Sequence, residues 1–338
     1  MGKYLEAGWL NFGYLEKMHM NFLFAVGARG IGKTYSAIKY CIEHGIKFVF
    51  VRRSVVQLDF ISNPVSHVLR PYLTDIGKWE DCETEPIKNV GYVYKIDGEI
   101  VGIGTSLSMV ANIRGFDGSA FNVIIFDEFI PKKGERVLTD EGSAIADLYE
   151  TVNRNRELMG QDPVKLICLA NSNSGNNPMF NYYGLTNQYA NMQKKRKEVY
   201  INPERGCAIV RYDASPISAE KAKTALYRFA KNTAYYDMAI DNIAEDITEF
   251  HQAKVNLSEY SPVVKVGEIV IYRHKAERLF YVTDYLNGSC PVLAGDGKGF
   301  TVFRHEYWTL KEHYVKNHIQ FFQYSHECYF RLACGLKW

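Results

Sequence analysis

Gly27-Ala28-Arg29-Gly30-Ile31-Gly32-Lys33-Thr34 fits the pattern G-x-x-x-x-G-K-[ST]. No other stretch constrains the fold as strongly. It follows a short apolar run, Asn21 to Val26, that has the character of a buried strand. Helical spacing resumes from Lys33 to His44 and ends at Gly45, and Lys47 to Val51 is a second buried strand. Strand, glycine loop, helix and strand make a βαβ unit, so a parallel sheet is expected. In that setting the loop is a phosphate cradle. Its glycines let backbone N–H groups turn inward, and the helix N-terminus adds a positive dipole end. Gly27, Ala28, Arg29, Gly30, Ile31, Gly32, Lys33 and Thr34 are therefore the expected phosphate-binding residues. Lys33 would reach the β and γ phosphates, and Thr34 would ligate Mg²⁺.

A third buried strand pattern, Asn122 to Phe126, closes on Asp127-Glu128. In a phosphate-loop fold the Asp at such a strand end holds Mg²⁺. The Glu beside it can polarise an attacking water as general base, which favours hydrolysis over a nucleotide-gated switch. Strand alternation would point the two carboxylates differently. Asn171 closes the next buried run, Lys165 to Ala170, where a polar side chain can sense the γ phosphate or form an Asx turn. Arg154 and Arg156 lie late in a helix expected over Ser143 to Leu158. Arg114 stands in a loop between a hairpin centred on Asp97-Gly98 and the acidic strand. Arg52-Arg53 ends the second strand, and Arg53 is expected over the nucleotide.

Composition excludes other classes. Across 338 residues, Lys plus Arg number 40 against 38 Asp plus Glu, a net charge of +2. That balance argues against a strongly basic nucleic-acid binder. It averages a basic stretch, Lys194 to Lys231, against an acidic one, Asp237 to Glu249. Any contact to nucleic-acid phosphates is thus expected to be weak and salt-sensitive. The seven cysteines are scattered, with no C-x-x-C pair, which fits a reducing compartment and neither a disulfide framework nor a cysteine zinc site. There is no apolar run of the about 18 residues needed to cross a bilayer. The first residues lack a signal peptide's apolar core, and Glu6 stands where myristoylation wants Ser or Thr, so a cytosolic protein without a membrane partner is expected.

The charge reversal suggests three parts: an ATPase domain over 1–200, a helical linker over 201–249, and a small α+β domain over 250–338 with strands in Val263 to Tyr272 and Leu279 to Tyr285. Helical spacing is expected over His305 to His318. The last domain holds loose acidic residues, Asp284, Asp296, Glu306 and Glu312, in no spacing that makes a two-metal site. Lys194-Lys195-Arg196-Lys197 is the candidate contact to DNA phosphates.

The runs LFAVGARGIGKT, FVRR, IIFDEFI and TVNRNRE followed by LICLANS resemble the DNA-packaging ATPases (encapsidation proteins) of phi29-type short-tailed phages. By motif the resemblance covers about the first 180 residues. It implies an additional-strand (ASCE-type) P-loop ATPase, with a parallel sheet flanked by helices, related to large terminases. It also implies ATP and Mg²⁺ as cofactors, and a homo-oligomeric, pentameric ring at the portal vertex of a prohead in the host cytoplasm. Double-stranded DNA would be driven through that ring, with packaging RNA as a further partner in some members. By the same resemblance Lys33, Thr34, Asp127 and Glu128 take the roles given above. Arg154 is the arginine finger donated to the neighbouring subunit's site, and Arg114 a basic residue acting across the same interface. The C-terminal domain would be a ribonuclease-H-like nuclease without its metal-binding carboxylates. The alternatives are a terminase-like motor with an active nuclease, and an assembly protein that binds nucleotide without significant turnover.

Overall fold

The computed structural model describes residues 5–6, 9–28, 30–113, 116–132, 135, 137–138, 140–171, 174–212, 217–233, 236 and 253–336. The chain divides into two compact units. One comprises Met1–Pro131, Asp140–Asn173 and Lys195–Glu245; the other comprises Lys132–Thr139, Ser174–Lys194 and Asp246–Trp338.

In the first unit a short antiparallel pair, β1 (Leu5–Glu6) and β2 (Trp9–Leu10), precedes a nine-stranded sheet. The sheet's strands are β3 (Phe22–Gly27), β4 (Phe48–Arg52), β5 (Cys82–Ile87), β6 (Gly91–Ile96), β7 (Glu99–Ser106), β8 (Val123–Asp127), β9 (Lys165–Ala170), β10 (Val199–Asn202) and β11 (Cys207–Tyr212). Their spatial order is β10-β11-β3-β9-β8-β4-β7-β6-β5. The six from β11 to β7 run parallel, and β10, β6 and β5 are antiparallel margins. β4 is buried along its whole length, as are the last five residues of β9. That is why these runs read as unbroken apolar stretches: a parallel sheet covered on both faces has no solvent side to encode. β9 lies between the glycine-loop strand β3 and the acidic strand β8, which is the additional-strand arrangement of the P-loop fold.

The glycine loop leads into the helix Lys33–Glu43, which buries Lys33, Ala37 and Cys41 at a spacing of four. A second helix, Glu141–Asn153, is capped by Asp140. The sequence predicts that helix to run on to Leu158. It stops at Asn153 instead, and Arg154 leaves it with φ +47 before a short 3-10 turn, Glu157–Met159. Asn153 and Asn155 are poor helix formers, and the Asn153 side chain turns back to accept from Val164 N at 2.8 Å.

The linker expected over 201–249 is corrected in its first part. Residues 207–212 form β11, fully buried and paired in register with β3 from Cys207↔Phe22 to Tyr212↔Gly27. Two short helices, Ser218–Ala222 and Ala225–Phe229, follow, and the acidic stretch 237–249 lies outside the described residues.

In the second unit β12 (Tyr260–Val266), β13 (Ile269–His274) and β14 (Phe280–Thr283) form an antiparallel meander. β15 (Val292–Leu293) lies parallel beside β12, and β16 (Ile319–Phe321) parallel beside β14. In place of one helix over 305–318 there are two, Gly297–Glu306 and Thr309–Val315, and Asp296 caps the first by accepting from Gly299 N at 2.8 Å. The core joins Val264, Ile271, Phe303, Phe321 and Phe330. Residues expected in the first domain also belong to this unit. Asn187, in the helix Thr186–Lys194, donates to Gln323 Oε1 (2.6 Å) and Ser325 Oγ (3.0 Å) beside the helix Tyr324–Ala333.

Candidate nucleotide site

The glycine loop leaves the carboxyl end of β3. Gly27 has no room for a side chain, since a Cβ there would sit 2.5 Å from the Tyr212 carbonyl oxygen of β11. Gly30 (φ +89) and Gly32 (φ +75) take the left-handed conformations that turn successive amides to one side. Lys33 is buried, and its Nζ donates to the carbonyls of Gly27 and Ala28, both at 2.9 Å. The lysine thus arches over the loop and presents its charge where a polyphosphate would lie. Arg29 lies outside the described residues.

β8 delivers the acidic pair to the same edge. Thr34 Oγ1 donates to Asp127 Oδ1 at 3.1 Å, so two residues 93 positions apart meet. Arg52, the last residue of β4, bridges both carboxylates: Nη1 to Asp127 Oδ2 at 2.8 Å and Nη2 to Glu128 Oε2 at 3.0 Å. Burial pushes the Asp127 carboxyl above its ordinary range, and the Arg52 guanidinium opposes that shift. The expectation that strand alternation would send the two carboxylates apart is corrected. β8 ends at Asp127, and Glu128 takes a left-handed φ of +58 just beyond it, so both reach one guanidinium.

Arg53 is corrected too. It is 3% exposed. It donates to Glu141 Oε1 (2.6 Å) and to the carbonyls of Glu128 (3.2 Å) and Phe129 (2.8 Å). It braces the chain leaving β8, and its neighbour Arg52, which the sequence left undecided, is the arginine at the acidic pair. Nothing in β4 marks which of two adjacent arginines meets the acidic pair and which is taken by Glu141.

Asn171 stands half-buried just past β9, between the strands that carry the loop and the acidic pair. Arg154 is exposed, with Nη2 donating to Phe116 O at 2.6 Å. It lies at the other end of the strands. Asn153 holds Val164 just before β9, Lys165 N bonds Asn122 O just before β8, and Arg156 donates to Ser119 O and Phe121 O. A six-residue strand separates this amino edge from the carboxyl edge, a span of about 20 Å. Lys194, Lys195, Arg196 and Lys197 are all exposed, where the helix Thr186–Lys194 ends. Arg114 lies outside the described residues.

The chain matches the model of the podovirus DNA encapsidation protein (Gp16) family over residues 13–290. It belongs to this family. It is 30% identical over 268 residues to the DNA packaging protein of Bacillus phage B103, a match covering 77% of this chain and 76% of that protein. To the DNA packaging protein of Bacillus phage phi29 it is 32% identical over 225 residues, or 65% of this chain. The matches to the phi29 and PZA proteins span 60% of those relatives' length. Among solved structures, the Phi-28 gp11 DNA packaging motor superposes with a TM-score of 0.68 at 16% identity, covering 97% of this chain and 98% of that one. A chain of the bacteriophage Phi-29 viral genome packaging motor assembly gives 0.65 at 22% identity, covering 96% and 99%. At these identities the likenesses establish the encapsidation-family fold.

Proposed function

We propose that this encapsidation-family chain is an ATP-hydrolysing motor that moves viral double-stranded DNA into a prohead, working as a ring of like subunits. The observation that carries it is the meeting of Thr34, Asp127 and Glu128 at the carboxyl edge of the sheet, beside the lysine-arched glycine loop. The Thr34 hydroxyl and the Asp127 carboxylate are hard oxygen donors within one hydrogen bond of each other, a set that suits Mg²⁺. When bound, that ion would draw off charge from the β and γ phosphate oxygens. Lys33 and the loop amides hold the phosphates, and Glu128 orients and deprotonates the attacking water. Arg52 neutralises the acidic pair and keeps Glu128 engaged, so Glu128 turns to water only as Arg52 changes partner. Asn171, at the end of the intervening strand, is placed to sense the γ phosphate.

Arg154 acts on a neighbouring subunit's site in this reading. Its place at the amino edge puts its own site about a strand's length away, out of reach of a side chain. Arg114 serves the same interface. Lys194, Lys195, Arg196 and Lys197 offer sequence-tolerant contacts to DNA phosphates. A pentameric ring with the portal and prohead, a place at the portal vertex in the host cytoplasm, and packaging RNA as a further partner belong to the same proposal, which the likeness to phi29-type DNA packaging proteins supports. Among the described residues no helix is long and apolar enough to cross a membrane.

The second unit is read as a docking module, a ribonuclease-H-like fold without nuclease chemistry. Its acidic residues have structural partners or lie apart: Asp296 caps a helix, Glu312 pairs with Lys316 at 3.9 Å, and Asp284 lies 3.9 Å from His326. Among the described residues no group of three or more His, Cys, Asp or Glu is placed to hold a metal.

Steady-state hydrolysis by Glu128→Gln tests the motor reading. ATP binding should persist while turnover falls at least about a hundredfold, the usual scale for removing a general base. Turnover at the wild-type rate would sink it.

A further inference from the structure

In the first unit a cleft of about 1700 Å³ opens alongside the glycine loop. A ligand pocket usually measures roughly 300–1,000 Å³, so this one has room for more than a triphosphate tail. Its lining includes Gly30 and Gly32 of the loop, Trp9 and Tyr35. Trp9 is 44% exposed. An indole has a large apolar surface that folding normally covers, so leaving it open into a cleft is the informative observation.

The position of that indole is fixed by the loop itself. Leu10 N donates to Ile31 O at 2.9 Å, which ties β2 to the glycine loop, and Phe12 N donates to Ser36 Oγ at 2.8 Å, which ties the next residues to the loop's helix. Trp9 Cε3 lies 3.6 Å from where a Cβ on Gly32 would be, so the ring sits beside the third loop glycine. Tyr35 follows Thr34 directly and adds a second aromatic lining. Its hydroxyl donates to Asp75 Oδ2 at 2.7 Å, which pins the ring in place.

We propose that Trp9 is the stacking platform for the base of the nucleoside triphosphate whose phosphates the Gly27–Thr34 loop holds. The proposal rests on the nucleotide reading above. An aromatic platform fastened to the phosphate loop holds base and phosphates in one register, and every base has a π-face to offer it.

Calorimetric titration of the full chain with ATP and with inorganic tripolyphosphate separates base from phosphate. Trp9→Ala should weaken ATP about tenfold, within the range for aromatic–base stacking, and leave tripolyphosphate binding unchanged. Retained tripolyphosphate binding also shows that the variant is folded. Trp9→Phe should keep most of the ATP affinity. Unchanged ATP affinity in Trp9→Ala would overturn the platform. So would an equal loss for both ligands, because Trp9 would then only prop the loop. A wild-type chain that binds neither ligand would overturn the nucleotide reading itself.

Discussion

Two adjacent arginines divide the work at the end of β4. Arg52 meets the acidic pair, and Arg53 is sealed in an ion pair with Glu141, with the carbonyls of Glu128 and Phe129 on its remaining donors. A buried carboxylate stripped of its partner is costly. Arg53→Ala should therefore lower the stability of the first unit by about 3–5 kcal/mol, read as a shift in the urea midpoint. Replacing both partners by apolar residues of similar volume, Arg53→Met with Glu141→Leu, should recover most of that loss. A single variant as stable as the wild type would show that the pair contributes little. The glycine loop and the Asp127-Glu128 pair were legible because each is a local pattern with local flanks. The division between Arg52 and Arg53 was not, because it depends on which way one strand end turns. Glu128 escaped the alternation rule for a related reason: the strand stops one residue before it.

At the scale of elements, β3, β4, β8 and β9 were all visible as short apolar runs, since strands covered on both faces encode little else. β11 was missed. Its residues sit inside a basic stretch that suggested a linker, and its partner β3 lies some 185 positions away in the chain. Pairing at that distance leaves no local signature. The sheet's far margin has its own titratable device. His67 is buried against Trp79 and Tyr94, and burial lowers its pKa from 6.5 to about 4. Leu69 N donates to its Nδ1, so the neutral ring carries its proton on Nε2, facing Thr84 Oγ1 at 2.9 Å. Below pH 6.5 the unfolded chain takes up a proton that the folded chain refuses until about pH 4. Stability present at neutral pH is therefore lost progressively across that window as the pH falls, by up to about 3 kcal/mol. Urea midpoints at pH 7 and pH 5, followed by tryptophan fluorescence, should fall further in the wild type than in His67→Gln. Equal losses in both would remove His67 as the cause.

For the whole molecule, the informative feature is that the phosphate loop and Arg154 occupy opposite edges of one sheet. Mixing an Arg154→Ala chain with a Lys33→Ala chain should restore part of the hydrolysis that each lacks, because one keeps an intact loop and the other an intact arginine. No rescue across mixing ratios would remove the trans assignment. A protein that gives at one edge and receives at the other makes a head-to-tail contact, and such contacts either close or leave two loose ends. An open string of n copies completes n−1 sites, because the terminal loop has no donor, whereas a closed circle completes all n. Turnover per chain is then a gauge of closure, rising gradually as open strings lengthen and levelling off once the last donor finds the first receiver.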